Sequence, residues 1–169
     1  MPWKPLPIGV DDFRKLIEGG YYFADKTLFI KQLLDMKGEV NLFTRPRRFG
    51  KSLNMSMLRY FFEKSKSDYG ALFRGLKIMD AGDRYLAYMN RYPVIMLSFK
   101  SMKQPSFHLS FEMMKRALGE EYSRHWEDVE ISGKLTEAET ARYLRIRDLG
   151  GEDADYADAL KFLSECLYK

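Results

Sequence analysis

The feature that most narrows the fold of this chain is a short, mainly apolar run, Val40 to Thr44, that gives way to an arginine-rich loop and then to helical periodicity. Bounded by a turn at Gly38 and by Pro46, the run suits a buried strand. After Gly50, the residues Leu53, Met57, Leu58, Phe61 and Phe62 recur at spacings that place them on one helical stripe. Strand, loop and helix in that order gather backbone amides at a helix N-terminus, where the helix dipole favours an anion. Pro93 to Phe99 reads as a second core strand, and a helical crossover between two such runs favours parallel pairing. The expected architecture is therefore α/β: a partial P-loop NTPase unit of the three-layer α/β/α type with a helical C-terminal extension.

The loop itself reads Thr44-Arg45-Pro46-Arg47-Arg48-Phe49-Gly50-Lys51-Ser52. In a phosphate-binding loop, two glycines let backbone N–H groups turn inward, a lysine reaches the outer phosphates and a hydroxyl coordinates magnesium. Gly50, Lys51 and Ser52 supply the second half of that pattern. The first glycine is replaced by Arg45, which precedes Pro46 and is thereby biased to extended backbone. Arg45, Arg47 and Arg48 are suited to bidentate phosphate contacts. Two other readings fit the same residues: a solvated or nucleic-acid-binding loop that uses the arginines on backbone phosphates, and a non-catalytic interaction fragment.

Around this centre the rest of the chain is mostly helical in pattern. Pro2, Pro5 and Pro7 keep the opening extended, and Asp11 or Asp12 caps a short helix that Gly19 and Gly20 close. Tyr21 to Ala24 reads as a short strand, and Asp25-Lys26 as a turn. Leu28, Phe29, Ile30, Leu33 and Leu34 then form a helical face that ends near Gly38. Tyr69 to Met79 has no clear period, whereas 81–91 reads as helix. Beyond Pro105, Phe107, Phe111, Met114, Leu118 and Tyr122 share a helical face, and two more helices cover 135–149 and 155–168, the first with a Thr136/Glu139 capping box. The organisation expected is one domain: an arm and helices over 1–38, a β-α-β core over 39–105 and a helical insertion or extension over 106–169.

Composition excludes several classes. With 169 residues, 46% of them hydrophobic, the chain is long enough for a real core and unlike a disordered one. Its longest apolar runs fall far short of the roughly 20 residues of a membrane-spanning helix, so the expectation is a cytoplasmic protein without membrane contact. Cys166 stands alone in the sequence and fits a packed thiol. His108 and His125 lack partners at metal-ligand spacing and fit surface or core packing. The net charge of +4 permits weak nucleic-acid binding without requiring it.

Thr44 to Leu53, together with Leu6-Pro7-Ile8-Gly9 ahead of Asp12-Phe13, Asp25-Lys26-Thr27 and Tyr92-Pro93-Val94, resembles the bacterial AAA-ATPase-like family, whose members often precede a PD-(D/E)XK nuclease-like domain. The resemblance covers most of residues 5 to 100. In that family the arginine-rich loop with proline after its first arginine is usual, so Arg45 is no sign of decay. The resemblance implies ATP and Mg²⁺ as ligands. Arg45, Arg47, Arg48, Phe49, Gly50, Lys51, Ser52 and Leu53 would form the nucleotide-binding segment, with Lys51 at the β/γ-phosphates, Gly50 at the close-approach turn and Ser52 on the metal. Asp25 and Lys26 either line the nucleotide pocket or belong to a cap of the helix that follows. Family members carry an apolar strand ending in acidic residues after the helical insertion, and this sequence has no counterpart. The expectation is a front portion of the domain, impaired in hydrolysis and suited to self-association or to pairing with the missing remainder.

Overall fold

In the computed structural model, which describes residues 3–44, 46 and 49–169, Asp12 opens the first helix by accepting the Lys15 amide at 2.9 Å. This helix, α1 (Phe13–Glu18), buries Phe13 and Leu16. The helical face expected after Thr27 becomes α2 (Leu28–Met36), and the stripe after Gly50 becomes α3 (Lys51–Phe62). Two 3-10 turns, Tyr69–Phe73 and Lys77–Asp80, occupy the stretch without clear period, and α4 (Asp83–Leu86) follows. These elements belong to one compact unit, Met1–Val94.

The unit is held by a cluster in which Phe13, Ile30, Met57, Phe61, Phe73 and Ile78 are almost fully buried. Phe13 packs edge-on to Phe23 and against Phe73, and Phe61 meets Phe73 edge-on at 5.4 Å, so rings from α1, α3 and the first 3-10 turn interlock. Such aromatic pairs add about 0.5–1.5 kcal/mol each beyond their buried area. The buried Ser56 hydroxyl accepts the Phe13 amide at 2.8 Å and fastens α1 to α3. At the far end of α3, Asn90 adopts a left-handed conformation (φ 54°). Its amide donates to the carbonyls of Tyr60 (3.1 Å) and Glu63 (3.0 Å), and its N–H donates to that of Phe61 at 2.7 Å. The last carbonyls of α3 are thereby satisfied, as helix C-termini require.

The second unit, Ile95–Lys169, is built from α5 (Phe107–Ser132), α6 (Glu137–Arg147), α7 (Asp153–Ala157) and α8 (Ala159–Tyr168). Thr136 and Glu139 form the expected capping box at the start of α6. Leu118 and Tyr122 of the expected face are buried with Tyr143, Ile146, Phe162, Leu163 and Cys166, while Phe107 at the start of α5 is 82% exposed. The Tyr122 hydroxyl donates to the Ala159 carbonyl at 2.7 Å, and that of Tyr143 donates to the Tyr122 carbonyl at 2.8 Å. Buried phenols thus satisfy their polar ends on neighbouring helices.

The expected α/β architecture is corrected here. Among the described residues there is no sheet; the only β pairing is an isolated parallel bridge between Glu63 and Tyr92. The reason lies in where the expected strands find their partners. Val40 lies in a bend and residues 41–44 belong to no regular element, and Val40 and Leu42 are 90% and 85% exposed. The run Pro93–Phe99 is divided at the boundary between the two units. At its start, Tyr92 is fixed to the end of α3, its N–H donating to the Phe62 carbonyl and its carbonyl accepting the Lys64 amide. Further on, Ile95 and Leu97 pack on the helical cluster of the second unit, and the Met96 amide donates to the Glu121 carboxylate at 3.0 Å. Residues 21–24, also expected as a strand, bond outward from the Tyr21 amide to the Leu16 carbonyl and from the Tyr22 amide to the Pro5 carbonyl, not to a neighbouring strand.

Candidate functional site

α3 begins where Gly50 takes a left-handed conformation (φ 72°, ψ 25°), which glycine enters at no steric cost. Gly50, the N-cap residue, has no side chain to cap this helix start, and an intrahelical bond runs from the Asn54 amide to the Gly50 carbonyl at 2.9 Å. The amides of the first turn, Ser52 and Leu53 among them, therefore point out past the N-terminus. Lys51 is exposed beside them, and its ammonium donates to the Pro46 carbonyl at 3.4 Å. Ser52 is half-buried on the same turn, whereas the Leu53 side chain packs toward the apolar cluster of the first unit.

A cavity of about 710 Å³ opens in the first unit, within the range of small-molecule sites. From α3 and the residues before it come Phe49, Lys51, Asn54 and Met55. Lys26, Leu28, Phe29 and Gln32 line it from α2 and the turn leading in, and Asn41 and Phe43 from the irregular segment that follows α2. The structure thus brings Lys51, Phe49 and Lys26 to one cavity. Gly50, Ser52 and Leu53 adjoin it in the chain without lining it, and Asp25 does not line it either. Arg45, Arg47 and Arg48 lie outside the described residues.

Asp25 and Thr27 are engaged elsewhere. The Asp25 carboxylate accepts the Thr27 amide at 2.8 Å, the Thr27 hydroxyl at 2.6 Å and the Lys77 amide at 2.8 Å. The fully buried Thr27 hydroxyl in turn accepts the Ile78 amide at 3.1 Å. Burial alone would raise the Asp25 pKa, but the bonds from Thr27 and Lys77 together outweigh it and hold the carboxyl below its ordinary value. Asp25 and Thr27 therefore tie the start of α2 to the second 3-10 turn. Thr27 is the N-cap residue of α2 but makes no side-chain cap bond; the capping contact is the one Asp25 makes to the Thr27 amide. Lys26, between them, is exposed and faces the cavity.

Chemically, the cavity joins two cations to aromatic and amide side chains. Phe29 and Phe43 meet edge-on, with ring centroids 4.8 Å apart and planes at 73°. The Asn41 amide donates to the Gly38 carbonyl at 2.9 Å. Gln32, Asn41, Phe29 and Phe43 had not been singled out from sequence as site residues. The available signal was an aromatic at position 43 followed within nine residues by Gly50-Lys51-Ser52. Among the described residues, no group of three or more histidine, cysteine or acidic side chains is placed to hold a metal ion. No helix among them is long and apolar enough to cross a membrane.

A protein of Azotobacter chroococcum mcd 1, described as an uncharacterized protein in the vnfD 5′ region, is 42% identical over 100 residues. That match covers 59% of this chain and 18% of the relative, so the matched part spans a little under a fifth of that protein's length. No solved structure matches the chain. The family described as Predicted AAA-ATPase matches residues 7–159, which takes in α1 through the start of α8 and every described residue of the cavity. This chain belongs to that AAA-ATPase-like family.

Proposed function

We propose that the chain binds ATP, with its magnesium ion, in the cavity beside the start of α3. The observation that carries this reading is the convergence of Lys51 and Lys26 on one cavity at an uncapped helix N-terminus entered through a left-handed glycine. Lysine ammonium groups and first-turn amides together complement a chain of phosphates. Family membership supports a nucleotide as the source of that anion. In this reading Lys51 contacts the outer phosphates, Gly50 permits their close approach, and Phe49 closes the site beside it. Arg45, Arg47 and Arg48 belong to the same loop and add charge for the phosphates.

The donor set fits a magnesium ion that arrives on the nucleotide. Ser52 offers one hydroxyl, and magnesium readily keeps water and phosphate oxygens as its remaining ligands. When bound, the ion would offset phosphate charge. The side chains that line the cavity include no carboxylate among the described residues. The function we assign to this chain is ATP binding. ATP titration by calorimetry, with and without magnesium, tests the reading. Lys51→Ala should weaken binding about tenfold or more, the worth of a hydrogen bond to a charged group, and equal affinity in the two proteins would sink the assignment.

A further inference from the structure

The cavity is larger and more aromatic than a phosphate chain needs. We propose that Phe43, braced edge-on by Phe29, forms the platform for the base of the nucleotide, and that Asn41 reads its edge in favour of adenine; this rests on the ATP-binding reading above. Phe43 is 38% exposed, lines the cavity and meets Phe29 edge-on. A flat π-system stacked on the Phe43 ring would cover its exposed surface, and stacking tolerates any base. Selection must then come from polar groups at the rim. The Asn41 nitrogen is already committed to the Gly38 carbonyl at 2.9 Å, so the carbonyl oxygen of its side chain is the end suited to an incoming donor. Adenine offers an exocyclic amine, whereas hypoxanthine places an acceptor oxygen at the same position. Gly38 keeps this arrangement possible, because a Cβ there would stand 3.0 Å from the Asn41 oxygen.

The test compares ATP, ITP and inorganic tripolyphosphate by calorimetry on the whole chain. ATP should bind about tenfold more tightly than tripolyphosphate, within the roughly 5- to 150-fold range of one stacked base. ITP should fall between them. Phe43→Ala should remove the advantage of ATP and leave tripolyphosphate within twofold. Phe43 sits outside any helix or ladder, and a circular dichroism spectrum checks that the variant stays folded. Phe43→Trp should restore ATP binding and report it by emission quenching that tripolyphosphate does not cause. Equal binding of ATP and tripolyphosphate, unchanged by Phe43→Ala, would overturn the base platform and leave the phosphate reading standing. ITP binding as tightly as ATP would overturn the role of Asn41. Failure of all three ligands to bind would overturn both the platform and the function on which it rests.

Discussion

Thr27→Val swaps one buried side chain for another of nearly the same shape and tests the anchor that holds Lys26 at the cavity. The Thr27 hydroxyl makes two bonds, accepting from the Ile78 amide at 3.1 Å and donating to Asp25 at 2.6 Å. Thr27 and Ile78 are both fully buried, so water cannot replace the first bond. An unsatisfied buried amide costs about 1–3 kcal/mol. The Asp25 carboxylate keeps its bonds from the Thr27 and Lys77 amides and is partly exposed, so losing the hydroxyl there adds little. The extra methyl of valine returns somewhat under 1 kcal/mol. The net expectation is destabilisation of about 1–2 kcal/mol, read as a lower urea midpoint with an unchanged slope. Thr27→Ser keeps both bonds, and its amide at Ile78 should exchange no faster than in the parent. A neutral Thr27→Val, with undisturbed Ile78 exchange, would refute the claim that this hydroxyl anchors α2. The same tie has a pH signature. Because the folded pKa of Asp25 is depressed, its stabilising contribution is full above the unfolded value near 3.9 and is lost as pH falls from there through the folded value. Asp25→Asn should flatten that part of the acid-denaturation curve.

Two further outcomes are expected in the second unit. Glu121→Ala removes both the acceptor of the Met96 amide and the charge that pairs with Arg124, and should cost about 1–3 kcal/mol and speed amide exchange at Met96; unchanged exchange there would refute the tie. Burial pushes the Cys166 thiol up to about 11, so a thiol reagent at pH 8 should label it far more slowly in native protein than in urea, and fast native labelling would contradict the packing of α8.

Helices were legible because their signals are local. Asp12 before Phe13, Thr136 three residues before Glu139 and the left-handed Gly50 each satisfy or release a backbone group within one turn, whatever the rest of the chain does. The Asp25-Lys26-Thr27 turn was legible in position but not in its division of labour. Its two anchors bond to residues about fifty positions away, Lys77 and Ile78, and no short-range pattern carries that information. The aromatic pair was hidden for a related reason. Phe29 falls on a helical face that reads as core, and Phe43 in a run that reads as strand, so neither announces its meeting with the other.

The strands failed for a physical reason that the Pro93–Phe99 run makes plain. A run of apolar residues states that alternate side chains want burial and that the backbone is extended; it does not state what supplies the partner for the backbone. In this chain Ile95 and Leu97 point to one side, as a pleated strand would have them, and the surface that receives them is helical. Sheet pairing would satisfy the intervening amide through a neighbouring carbonyl. Here the acceptor for Met96 is the side chain of Glu121, reached from α5 and held in turn by Arg124. Glu121 thus has a structural use: a buried carboxylate whose charge is balanced by Arg124 and whose lone pair replaces one rung of a ladder. The same two requirements, burial of alternate residues and satisfaction of each amide, are met without a sheet, and a sequence pattern that encodes only the requirements cannot choose between the two solutions.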